Sequence, residues 1–155
     1  MKHFIGRLLA ITAVMSVALT TASCGKIDEI VIEDLSQRYL NSDIFSENLV
    51  ELDELSAQKM LYINPSDYKE IKVYKGTNAV CDEMVIVKTS SPQSMKNVLS
   101  EQLERLKEMY AVYRPQELYK TENALLEVYD GTVVLVVGNS YETALQIYDD
   151  YIRQR

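Results

Sequence analysis

The sequence predicts an α+β fold: two ββα units forming a four-stranded, mainly antiparallel sheet with two helices on one face, plus an N-terminal helical segment. Three observations predict it. Residues 70–89 and 124–137 each read as two short β-rich runs around a turn. Each pair is followed by apolar residues recurring every three or four positions, the period of an amphipathic helix. The strand, strand, helix order occurs twice, and one sheet with packed helices is the economical way to bury such units.

The chain has 155 residues and a formal net charge of −7. Lys2, His3 and Arg7 form a basic head, and no Asp or Glu precedes Asp28. Leu8–Leu19 is mostly apolar, but a membrane-spanning helix needs about 20 such residues. Basic head, short apolar core and small closing residues make the pattern of an export signal over residues 1–23. Its end, Thr21-Ala22-Ser23-Cys24, resembles a bacterial lipobox, with Thr21 in place of the usual leucine. The resemblance implies that Cys24 carries a diacylglyceryl group and opens the mature chain on the outer face of the cytoplasmic membrane. Two acyl chains hold a protein on a bilayer where one binds marginally, at about 0.8 kcal/mol per buried CH₂. Ordinary secretory cleavage after Ala22 or Ser23 is the alternative.

Losing residues 1–23 removes Lys2 and Arg7 and leaves 132 residues with a charge of −9. Such a length suits one compact domain, here residues 48–155, behind an arm over 24–47. An acidic domain is a poor partner for nucleic acid, which selects clustered Lys and Arg. Membrane contact is therefore expected through the lipid alone.

In the arm, Ile27, Ile30, Val31, Leu35 and Tyr39 suggest a helix to Leu40, and Asn41–Glu47 reads as a loop. A short helix is expected around Glu54–Tyr62. The first unit comprises Glu70–Lys75, a turn at Gly76-Thr77-Asn78, and Cys81–Thr89. Its helix opens with Ser91 as N-cap and Pro92 at the first helical position, where a missing N–H costs nothing. Met95, Leu99, Leu103, Leu106, Tyr110 and Tyr113 form its apolar stripe, and Pro115 ends it. The second unit comprises Ala124–Tyr129, an Asp130-Gly131 hairpin turn and Thr132–Val137. Ser140 then caps a helix with Tyr141, Leu145, Tyr148 and Ile152 on one face. The run TVVLVV is apolar on both faces, so it belongs in the middle of the sheet and needs cover on the second face too. The N-terminal segment is the nearest cover; a docked partner protein is the other.

The chemical inventory is sparse. His3 is the only histidine, and Cys81 is the only cysteine besides Cys24. The mature chain therefore offers no Cys/His zinc set, Cys–His pair or Ser-His-Asp triad. No phosphate-binding or dinucleotide glycine motif occurs, so no metal, cofactor or catalytic residue is assigned. Carboxylates alone suffice for glycoside hydrolysis, given two of them about 5–9.5 Å apart with one pKa raised. Asp82 and Glu83 are adjacent on a strand and point to opposite faces, so they do not form such a pair. Glu83 lies one step before an apolar run and needs a partner such as Lys or Tyr if it turns inward. Tyr113 and Pro115, with Tyr119 nearby, are candidates to shape a groove at the helix end. The chain has 11 tyrosines and no tryptophan. Tyrosine suits interfaces and sugar platforms, and equally the edge of a small core.

Residues 48–152 resemble the bacterial family known as domain of unknown function 4358. The resemblance lies in Leu52-Asp53-Glu54, Tyr62-Ile63, Gly76 with Asp82-Glu83-Met84-Val85-Ile86, Tyr113-Arg114-Pro115 and Asn123-Ala124-Leu125. It implies a lipoprotein or membrane-tethered protein and carries no activity. The expected function is a non-catalytic module that binds an envelope protein or a cell-wall glycan. A small carboxylate-based hydrolase of cell-wall glycans is the alternative.

Overall fold

In the computed structural model, residues 29–154 are described. The signal at 1–23, Cys24 and Ile27 lie outside them. The helices are α1 (Ile32–Leu40), α2 (Glu54–Leu61), α3 (Pro92–Tyr113), α4 (Leu118–Glu122) and α5 (Tyr141–Arg153). The strands are β1 (Val50–Glu51), β2 (Glu70–Lys75), β3 (Glu83–Lys88), β4 (Leu125–Tyr129) and β5 (Thr132–Val137). Short 3₁₀ turns at Pro65–Asp67 and Pro115–Glu117 complete the chain.

The α+β class and the antiparallel sheet are as the sequence predicts, with two differences in detail. The sheet has five strands in the order β1-β2-β3-β5-β4, all antiparallel. The fifth, β1, is a two-residue edge pairing of Val50 with Lys75 and Glu51 with Tyr74, too short to leave any alternation in the sequence.

The second difference is that the two long helices lie on opposite faces, not on one. Central strands β3 and β5 pair Glu83 with Val137, Val85 with Leu135 and Val87 with Val133, and both are buried throughout apart from the half-buried Lys88. Val85, Val87, Val133, Leu135 and Val137 pack with Ala57 and Leu61 of α2 and with Met95, Leu99, Leu106 and Tyr110 of α3. Met84, Ile86, Val134 and Val136 form a second core with α1 and α5. The physical reason is space: α2 and the six turns of α3 fill one side, while β5 turns Val134 and Val136 to the other, where they need cover as well. The α5 stripe turns accordingly, burying Ala144, Tyr148 and Tyr151 and leaving Tyr141 exposed.

The described part of the arm is docked on that second face, as cover expected from the N-terminal segment. Ile30, Ile32, Leu35, Tyr39 and Ile44 are all core residues. The Tyr39 hydroxyl donates to the Ala144 carbonyl at 3.1 Å, and the Tyr151 hydroxyl donates to the Val31 carbonyl at 3.1 Å. Past α1 the chain crosses the end of β5, where Asn139 N–H donates to the Ile44 carbonyl at 2.7 Å. Gly138 makes this approach feasible: a Cβ there would lie 2.7 Å from that same carbonyl oxygen.

The β4–β5 turn is the expected two-residue hairpin, with positive φ at both Asp130 (44°) and Gly131 (75°). Ser140 caps α5 by accepting from Thr143 N–H at 3.2 Å. Ser91, by contrast, makes no side-chain cap bond to α3, which starts at Pro92 as predicted.

Candidate functional site

The candidate residues gather at one end of the sheet, where β3 begins and α3 ends. Asp82 and Glu83 do point to opposite faces, and both are buried. Asp82 Oδ2 accepts Ser46 N–H from the arm at 2.6 Å, and Oδ1 accepts from Lys120 Nζ at 2.8 Å. Lys120, on the short α4, is buried too. Its ammonium also donates to Ser46 Oγ at 2.6 Å and pairs with Glu117 Oε2 at 2.8 Å. Burial alone would lower the Lys120 pKa, but the hydrogen bonds to Asp82 and Glu117 outweigh it and the net shift is upward. One ammonium therefore ties arm, β3 and α4 together.

Cys81 sits against the same group. Its N–H donates to Glu117 Oε2 and its thiol to the Glu117 carbonyl, both at 3.3 Å. Burial pushes the thiol up to about 12, so it is a packed small side chain rather than a nucleophile at neutral pH.

On the other face, Glu83 does turn inward and finds the partner it requires. Gln102 Nε2 donates to both carboxylate oxygens, at 3.0 and 3.2 Å, and Lys75 Nζ lies 3.4 Å away on the paired strand residue. Gln102 Oε1 in turn accepts from Arg105 Nε at 3.2 Å and Nη2 at 2.9 Å. The Arg105 guanidinium lies over the exposed ring of Tyr62, 5.0 Å from its centre. Desolvation raises the Glu83 pKa, with Lys75 and Gln102 pulling the other way. A raised carboxyl is one mark of a glycosidase acid, but this one is sealed from solvent and fully engaged.

Tyr113, Pro115 and Tyr119 are exposed around the α3–α4 connection. The Tyr119 hydroxyl donates to Asn139 Oδ1 at 2.9 Å. Tyr113 is in phase with the buried stripe, yet Tyr110 is its last buried member and Tyr113 is 77% exposed. Beside it stand Met109 at 44% and Val112 at 75% exposure. These three side chains are neighbours on the last turn of α3 and form an apolar surface, of which the sequence marked Tyr113 but not Met109 or Val112.

Lys120 and Gln102 were also missed. Gln102 had a signal, being a polar residue spaced three from Leu99 and four from Leu106 on the apolar stripe. Lys120 had none, since Tyr119-Lys120-Thr121-Glu122 reads as an ordinary polar segment.

The fold and these contacts define a mixed α/β domain with a sheet covered on both faces and its buried charges paired. The pattern of the family "Domain of unknown function (DUF4358)" matches residues 42–138, nearly two-thirds of the chain, and the chain belongs to that family. No curated protein and no solved structure matches it.

Proposed function

We propose that this protein is a lipid-anchored, extracytoplasmic binding module whose partner is another protein of the bacterial envelope, and that it is not a hydrolase. The observation that carries the reading is the apolar end of α3, where Met109, Val112 and Tyr113 stand in solvent. Methionine and tyrosine are enriched in protein interfaces, and adjacent exposed apolar side chains are more often kept for contact than tolerated singly. The buried polar groups nearby have partners in the protein itself and serve to hold this end rigid. The lipobox-like Cys24 supplies the anchor and the location.

Cross-linking pull-downs from native membranes test this with the wild type, Cys24→Ala and Val112→Asp. A partner captured by the wild type and lost with Val112→Asp supports the surface. Capture that is equal for wild type and Val112→Asp refutes it, and capture of peptidoglycan fragments instead of protein favours the cell-wall ligand. As an exposed change, Val112→Asp is expected to move stability by no more than about 0.5 kcal/mol, so a loss of capture reports binding.

A further inference from the structure

We propose that the anchor holds the domain close to the bilayer with one defined pole toward it, the end of the sheet where β3 finishes and α3 starts, and aims the Met109–Tyr113 surface away from the membrane. This rests on the lipid-anchored reading above. The partner of the near pole is a lipid surface. The argument is one of chain length. Only Gly25, Lys26, Ile27 and Asp28 separate Cys24 from Glu29. Glu29 is held by an ion pair to Lys88 Nζ at 3.0 Å, and Ile30 is wholly buried. Five Cα-to-Cα steps reach at most ~18 Å even when fully extended, so Glu29 cannot stand farther than that from the lipidated residue, and the end of β3 lies one Glu29–Lys88 side-chain contact beyond it.

The remaining geometry fixes what points out. Lys88 ends β3, Thr89 N–H bonds the Gly131 carbonyl in the β4–β5 turn at 2.8 Å, and α3 starts three residues later at Pro92. At its far end the Tyr110 hydroxyl donates to the Val80 carbonyl, before β3 begins. Helix α3 therefore spans the sheet from near pole to far pole, and its 22 residues measure ~33 Å. The far pole carries Asp82, Glu83, Lys120 and the exposed α3 end, so the apolar surface is out of reach of the lipid and open to a partner.

Lipidated full-length protein carrying Ser90→Cys or Val112→Cys is labelled with a thiol-reactive fluorophore and reconstituted into phosphatidylcholine/phosphatidylglycerol vesicles that contain nitroxide-headgroup lipid. Both positions are exposed, and the buried Cys81 is expected to take no dye in the parent protein. The Ser90 label should lose most of its emission and the Val112 label nearly none. Inserting about 20 Gly/Ser residues after Gly25, a coil spanning ~25 Å, should abolish the quenching at Ser90. Equal quenching at both sites, or stronger quenching at Val112, overturns the orientation while leaving the anchor intact. Wild-type protein that carries no acyl group by intact mass overturns the anchor and the orientation together.

Discussion

Lys120 shows how much one side chain can carry in a small domain. Its ammonium satisfies Asp82, Glu117 and Ser46 at once, and both it and the Asp82 carboxylate are buried. Lys120→Met should leave the Asp82 carboxylate buried without its counter-charge, a loss of about 3–5 kcal/mol, a large part of the ~5–15 kcal/mol that holds a typical domain. Urea unfolding of the variant checks this, and Asp82→Asn added to it should recover part of the loss. Glu83 makes the opposite kind of contribution. Its folded pKa is raised above the ordinary 4.5, so the folded state holds this proton more tightly than the unfolded chain. The stability it confers is complete below about pH 4.5 and drains away as pH rises through the raised folded value. Glu83→Gln removes that titration. Compared with wild type by urea unfolding from pH 4.5 to 8, the variant should gain relative stability as pH rises; a constant difference would mean that Glu83 stays charged throughout.

At the scale of elements, the strands and helices announced by periodicity are present, because each carries enough apolar residues to register a period. The sequence also marks the Asp130-Gly131 turn, the Ser140 cap, the Pro115 stop and the Glu83 need for an inward partner. Which face each helix takes is not encoded within the helix: α5 has a legible apolar stripe, and its placement follows from what α2 and α3 already occupy. Strand β1 and the Lys120 contacts are equally silent, being set by residues dozens of positions away. The family segment, residues 42–138, ends before α5 and begins after α1. Both missing helices cover the same face of the sheet. A chain of residues 42–138 alone should therefore expose Met84, Ile86, Val134 and Val136, bind a hydrophobic dye and lack a cooperative thermal transition, whereas 29–155 should melt cooperatively; a sharp transition in the shorter chain would show that the face closes by other means.

The molecule as a whole is a sheet with no free face, since helices lie over both sides. Binding is left to helix surfaces, the poles and the β4 edge of the open sheet. The far pole has the cross-linked Lys120 and Glu83 groups beneath its surface, and such prior ordering lowers the cost of association. The acidic chain, with a formal net charge of −7, bears on rate as well: its field slows the approach of other acidic surfaces and favours partners with basic rims.

The pairing of α1 with α5 also sets an order in time. Tyr39 waits for Ala144, and Val31 for Tyr151, across 105 and 120 positions. Synthesis at about 5–20 residues per second puts roughly 5–25 s between the appearance of the first helix and that of its mate. Until α5 arrives, Ile32, Leu35 and Tyr39 have only the β2 and β3 part of their native core to bury against, so the earliest part of the domain to be made is among the last to be fully covered.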